Sequence, residues 1–141
     1  MTIKIPEYEF KLKAPEFQIG DEEFIIWFLE GVLENYPDYV ECLMYLGNAY
    51  TATGMCEKGL QIDMRLAKLK PYDPLVHYNL SCSYSLMNKI SPAFAALRNA
   101  IKLGYNDIEH LENDTDLDNL KGHEEYKALI NKLKVAVSKY V

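Results

Sequence analysis

The acidic run between Asp114 and Glu125 comes closest, in residue types and spacing, to a site that could do chemistry. Acids stand at its first, third, fifth and twelfth positions: Asp114, Asp116, Asp118 and Glu125. Carboxylates at those positions supply oxygen ligands in a calcium-binding loop. Asn119, however, replaces the glycine of such a loop, and Lys121 replaces an apolar residue. The run therefore favours helix capping and an acidic surface, and we expect no metal site.

The histidines and cysteines do not combine into a metal or catalytic site. They are His77, His110, His123, Cys42, Cys56 and Cys82. Their spacing matches no common ligand pattern. An odd number of widely spaced cysteines argues against a disulfide framework and suits a reducing cytoplasm. The chain also has no glycine-rich phosphate loop and no nucleophile elbow, so we expect neither an enzyme nor a cofactor.

Length and charge indicate one domain and argue against several classes of partner. With 141 residues, of which 49% are hydrophobic, the chain can bury a core without disulfides or metal. The net charge of −6 is concentrated in residues 105 to 125, where eight acids accompany one lysine, whereas the last sixteen residues carry four lysines and no acid. No basic stripe is available for nucleic acid. The longest apolar run, residues 24 to 29, is too short to span a membrane, and no secretory signal is visible.

Capping and breaker residues predict where helices begin and end. Three pairs predict helix starts: Asp38 with Glu41, Asp73 with Pro74, and Ser91 with Pro92. Gly54 and Asn88 tolerate the left-handed turn that ends a helix. The predicted helices span about residues 21–35, 39–53, 56–69, 74–87, 90–103 and 122–139, with a short turn or helix between 107 and 113.

The same residue types return at an offset of 34 positions. The matched pairs are Leu46 and Leu80, Tyr50 and Tyr84, Leu69 and Leu103, and Pro37 and Pro71. Residues 40 to 105 resemble tetratricopeptide repeats through two motifs, Leu43-x-x-Leu46-Gly47-x-x-Tyr50 and His77-x-x-Leu80-Ser81-x-x-Tyr84. Leu43 and His77 stand where the family usually has tryptophan.

The resemblance implies an all-α fold, a right-handed α-solenoid of antiparallel helix pairs. It places full repeats at about residues 40–73 and 74–107 and a capping helix at about 122–139, within a domain of residues 21–141. Helix 21–35 matches the second half of an incomplete unit, because Ile25 lies one period before Gly59. The tail, with the pattern D-x-D-L-x-x-L before its last helix, also looks like the end of many short bacterial tetratricopeptide proteins.

In this family the first helix of each repeat lines a concave groove for a protein partner. Carried onto this chain, the groove comprises Glu41, Met44, Tyr45, Asn48, Thr51, Leu75, Tyr78, Asn79, Cys82 and Ser85, with Glu109 and Glu112 at its rim. Apolar side chains and two asparagines suit an extended peptide, although packing between helices explains either tyrosine equally well. The family's carboxylate clamp is rejected, because its cationic positions fall on Met44, Glu109 and Asn113.

Residues 1–20 form a predicted N-terminal arm. Its large apolar residues are Ile3, Ile5, Tyr8, Phe10 and Leu12. Five such side chains favour an arm docked on the domain, with the groove as one place for it, over a partly ordered tail. We expect a cytoplasmic scaffold that binds a protein or peptide. The alternatives are a self-assembling repeat protein that forms homo-oligomers and a chaperone-like holder of a bacterial client.

Overall fold

The computed structural model describes residues 21–139, which form a stack of helices. The helices are α1 (Glu22–Asn35), α2 (Val40–Ala52), α3 (Cys56–Leu69), α4 (Pro74–Leu86), α5 (Ile90–Lys102), α6 (Ile108–Asn113), α7 (Asp118–Lys121) and α8 (Glu124–Ser138), and a 3-10 turn (Thr115–Leu117) precedes α7. Each of the first four helices packs on the next one along the chain, and α5 packs on α7 and α8. The predicted all-α solenoid is confirmed, and the predicted N-terminal arm lies outside the described residues.

The turns within the two repeats have the backbone that the sequence predicts. Gly54 and Asn88, one period apart, have positive φ angles of 79° and 55°. Each lets the chain reverse between the two helices of its repeat, α2 and α3 or α4 and α5. The Asp73 carboxylate accepts a hydrogen bond from the Leu75 backbone N–H at 2.9 Å, so the predicted cap of α4 is confirmed.

The capping residues predicted for two helices are wrong. Tyr39, not Asp38, is the N-cap of α2, and the Asp38 carboxylate instead lies 2.5 Å from the Arg65 guanidinium on α3. Ser91 is already inside α5, which begins at Ile90. Both helices start without a side-chain cap, and their first residues, Val40 and Ile90, pack against the core.

Small residues let the two helices of each repeat approach closely. A Cβ atom added at Gly47 would lie 3.1 Å from the Ile62 side chain, and one added at Gly59 would lie 2.9 Å from the Thr51 hydroxyl. One period later, the Ser81 hydroxyl donates to the Ala93 carbonyl at 2.7 Å. The repeat in the sequence therefore corresponds to a repeated helix contact.

The largest part of the core joins the second repeat to the C-terminal helices. Its buried side chains are Tyr78, Cys82, Ala93, Phe94, Leu97, Ala100, Leu111, Leu117, Leu120, Tyr126, Ile130 and Leu133. Helix α8 contributes the last three, and its outward face is polar apart from Val135 and two alanines. The predicted capping role of this helix agrees with that arrangement.

Helix α1 is much less covered than the others. None of its residues is buried, and the Trp27 side chain is 60% exposed. One side contacts α2, where the Tyr50 hydroxyl donates to the Glu30 carboxylate and the Cys42 thiol lies 3.5 Å from the Leu29 carbonyl oxygen. Among residues 21–139, no helix is long and apolar enough to cross a membrane.

Candidate protein-binding groove

The ten predicted groove residues divide into an open group and a buried group. Glu41, Tyr45, Asn48 and Leu75 are exposed, Met44, Thr51 and Asn79 are half-buried, and Tyr78, Cys82 and Ser85 are buried. Tyr45, at 59% exposure, presents the largest open apolar surface of the set. The part of the predicted groove that lies on α2 and at the start of α4 is therefore exposed.

The chain's own tail covers the rest of α4. The Tyr78 ring stacks on the Tyr105 ring with 4.3 Å between their centroids and 5° between their planes. The Tyr78 hydroxyl donates to the Asp114 carboxylate at 2.6 Å. Burial raises the pKa of Tyr78, so its hydroxyl stays protonated and remains the donor. The prediction that Tyr78 faces a ligand is corrected, because the tail occupies that position.

The same tail segment also covers Cys82 and Ser85, so these residues do not line an open groove. The Cys82 sulfur lies 3.6 Å from the Asp114 carboxylate, and the Asn119 side-chain amide donates to the Ser85 backbone carbonyl at 2.8 Å. The Ser85 hydroxyl is buried without a hydrogen-bond partner among the described residues. Together with Tyr78, Cys82 and Ser85 hold residues 105–121 against α4. They do not line an open groove.

The acidic run does not form a loop around a common centre. Asp114 caps the 3-10 turn by accepting from the Asp116 N–H, and α7 and the start of α8 occupy the rest of the run. The Asp118 carboxylate pairs with Lys121, and Glu125 pairs with Arg98. The carboxylates of a calcium loop would have to converge, whereas these point to different partners.

One smaller cluster does bring potential metal ligands together. Cys82, Asp114 and Asp116 place one ligand atom each within 4.8 Å of one another. Burial raises the pKa of the Cys82 thiol, and the nearby Asp114 carboxylate raises it further. The Tyr78 hydroxyl and the Cys82 thiol both contact the Asp114 carboxylate, and these hydrogen bonds hold the side chains of the cluster together.

The charge around the open part of the groove is sparse and negative. Glu41 is the single charged residue within α2 and α4. At the predicted rim Glu109 is exposed, whereas the Glu112 carboxylate lies 2.5 Å from the Lys134 ammonium on α8. Of the two predicted rim acids, Glu109 therefore forms no ion pair within residues 21–139.

The fold matches solved structures of another helical repeat protein. The crystal structure of MamA covers 84% of this chain and 69% of its own chain, with a TM-score of 0.69 at 20% sequence identity. A second structure, MamA 41-end from Desulfovibrio magneticus RS-1, covers 83% and 68%, with a TM-score of 0.63 at 15% identity. MamA is a tetratricopeptide repeat protein. This chain has the same tetratricopeptide repeat solenoid fold.

Two plant proteins match parts of this chain in sequence. A chloroplastic protein of Arabidopsis thaliana is 28% identical over 87 residues, which are 60% of this chain and 26% of the plant protein. "Protein CTR9 homolog" of the same plant is 38% identical over 64 residues, or 45% of this chain and 6% of the homolog. The match thus spans about a quarter of the first relative and far less of the second. No protein-family model matches the chain.

Replacing Tyr78 with phenylalanine tests whether its hydroxyl fastens the tail of this repeat protein. The substitution keeps the stack on Tyr105 and removes the hydrogen bond to Asp114. We expect a loss of about 2 kcal/mol in the free energy of unfolding, since a buried bond to a carboxylate is lost. Urea unfolding would measure it. Tyr84→Phe is the matched control on α4, because the Tyr84 hydroxyl has no hydrogen bond among the described residues; an equal loss in both variants would contradict this role.

Proposed function

We propose that this tetratricopeptide repeat protein is a scaffold that binds an extended protein segment along α2 and the start of α4, without catalysis. The observation that supports it most is Tyr45, an aromatic side chain that is 59% exposed on the face assigned to the groove. An exposed tyrosine supplies a large, rigid contact surface at low entropic cost. Leu75, exposed at the start of α4, adds a second apolar position.

The polar residues beside Tyr45 suggest the chemistry of the partner. Asn48 and Asn79 each offer a donor and an acceptor, which an extended backbone can use. Glu41 and Glu109 are exposed acids, and α2 and α4 contain no lysine or arginine. A segment with apolar side chains and a lysine or arginine at one end fits this face best, and its affinity should weaken as salt rises.

The same proposal includes two further points: the protein catalyses no reaction, and it works in a reducing compartment. The polar groups that cluster on α4 serve to hold the tail, so they are not free to act on a substrate. Three free cysteines in the described residues suit a reducing compartment such as the cytoplasm. A chaperone-like holder of a client would use the same open groove, and the identity of the captured segment separates that case from a scaffold.

Selection of unstructured peptides from a display library against the whole protein tests the groove. We expect enriched peptides with apolar residues and one basic residue. Tyr45→Ala should weaken their binding roughly tenfold or more, because a central aromatic contact is removed. Tyr72→Ala is the control, since Tyr72 is exposed in the turn before α4 and outside the groove. Equal affinity for both variants and the parent would reject the groove as the binding face.

The N-terminal arm enters the same experiment as a competitor. Occupation of the groove by residues 2–16 stays a prediction, because they lie outside the described part of the chain. If the arm competes, its removal raises the affinity for the selected peptides, since the fraction of open grooves increases.

A further inference from the structure

Two exposed helix faces at opposite ends of the described stack have complementary chemistry. Helix α1 carries Glu23, Trp27 and Glu34 at spacings of four and seven residues, which places them along one side of the helix. Helix α8 carries Lys132 and Val135, and Lys139 follows at its C-cap, at spacings of three and four residues. Each stripe therefore has an apolar side chain between two like charges.

The apolar members of both stripes are open to solvent. Trp27 is 60% exposed and Val135 is 57% exposed, and both rank among the most exposed large hydrophobic residues of the described chain. The Phe24 ring lies beside Trp27 with 5.9 Å between the ring centroids, and the small side chain of Ala128 continues the strip on α8. Exposed tryptophan next to other apolar surface marks an interaction site more often than a solvated helix.

The charges of both stripes are also available. Glu23, Glu34, Lys132 and Lys139 are exposed and belong to none of the ion pairs formed within residues 21–139. Residues 21 to 35 hold five acids and no base, while residues 126 to 141 hold four lysines and no acid. The acidic end of one molecule can therefore attract the basic end of a second molecule.

We propose that this protein associates head to tail, with the Trp27 face of α1 in one copy packed on the Val135 face of α8 in the next. The contact is heterologous, so each added copy leaves one free face of each kind and assembly continues until a ring closes or a filament forms. It extends the stacking of helices that already holds the repeats together within one chain. The surface is separate from the groove and does not depend on the groove's function.

Sedimentation of the full chain over a range of concentrations tests the proposal. The mean mass should rise with concentration and fall with added salt, because the pairing includes exposed charges. Trp27 is the only tryptophan in the chain, so its fluorescence reports on this face alone. Its emission should shift to shorter wavelength as the mass rises.

Charge reversal gives the decisive comparison. Glu23→Lys with Glu34→Lys makes the charged positions of both stripes positive, and Lys132→Glu with Lys139→Glu makes them negative. Each double variant alone should remain monomeric, and an equal mixture should associate, because every end then meets an opposite charge. Circular dichroism of each variant confirms that it is folded.

Three results would overturn the proposal. A monomer with short-wavelength emission at every concentration would mean that residues 1–20 cover Trp27. A monomer with long-wavelength emission would mean that the face stays open. Loss of association in the α1 variant alone, with the α8 variant unaffected, would mean that α1 pairs with another surface.

Discussion

Removing residues 122–141 is expected to leave a protein that aggregates or is largely unfolded. Helix α8 buries Tyr126, Ile130 and Leu133 in the main core. Three buried side chains of this size contribute about 6 kcal/mol, which is comparable with the whole stability of a small domain. The second repeat and its tail would lose their cover, because each unit of a repeat array buries its apolar face only on its neighbours.

Two point substitutions on α8 distinguish the effect of losing a buried core side chain from the effect of shortening the chain. Leu133→Ala should lower the free energy of unfolding by about 3 kcal/mol, because a cavity forms. Val135→Ala should change it by less than about 0.5 kcal/mol, because Val135 is exposed. Circular dichroism during urea unfolding measures both. A truncated protein that stays monomeric and melts like the parent would show that α8 is not a structural cap.

Replacing Asp63 with asparagine is expected to change how stability depends on pH. Asp63 lies on α3, is 7% exposed and accepts a hydrogen bond from the Ser83 hydroxyl on α4. Burial raises its pKa to about 6 from the ordinary 3.8, and the Ser83 hydrogen bond opposes part of that rise. The carboxylate is therefore charged at pH 7 in a place that favours the neutral acid.

The direction of the effect follows from proton binding. Between about pH 4 and pH 6 the folded protein holds a proton on Asp63 that the unfolded chain has lost, so the stability from this group is full below pH 4 and falls as pH rises to 6. The total change is about 3 kcal/mol. Asparagine does not titrate in this range, so the variant lacks this loss of stability. Relative to the parent, the variant should therefore be about 3 kcal/mol more stable at pH 7 than it is at pH 4.

Comparing the stability difference between variant and parent at two pH values cancels those effects of the substitution that do not depend on pH. An unsatisfied asparagine amide would shift both measurements equally, and so would a small change in packing. Urea unfolding of parent and variant at the two pH values gives the quantity directly. Glu57→Gln, an exposed change on the same helix, is the control for loss of a carboxylate. A constant offset between parent and Asp63→Asn would contradict a raised pKa.

The positions of the helices could be predicted from the sequence because their signals are local. Gly54 and Asn88 end helices through their own backbone preference, and the 34-residue offset reflects a contact repeated between adjacent helices. No side-chain cap forms at Asp38 or Ser91, whereas the first residues of α2 and α5, Val40 and Ile90, pack against the core. Local preference decides a helix end only where no packing competes with it.

The buried half of the groove could not be predicted in the same way. Tyr78 and Asp114 are 36 positions apart, and their hydrogen bond depends on α6 and α7 folding back over α4. From the sequence, the serines and the cysteine on α4 predict an open polar face, because no periodic pattern shows that a later segment covers them. The D-x-D-L-x-x-L pattern was the one available signal, because its leucines, Leu117 and Leu120, are fully buried.

Amide NMR of the protein with a selected peptide tests the central claim most directly, because every backbone position reports at once. We predict chemical-shift changes on α2 around Tyr45 and Asn48 and at the start of α4 around Leu75, with little change on α8. Changes centred on Trp27 or on α8, with α2 unaffected, would contradict the assignment of the open groove as the binding site.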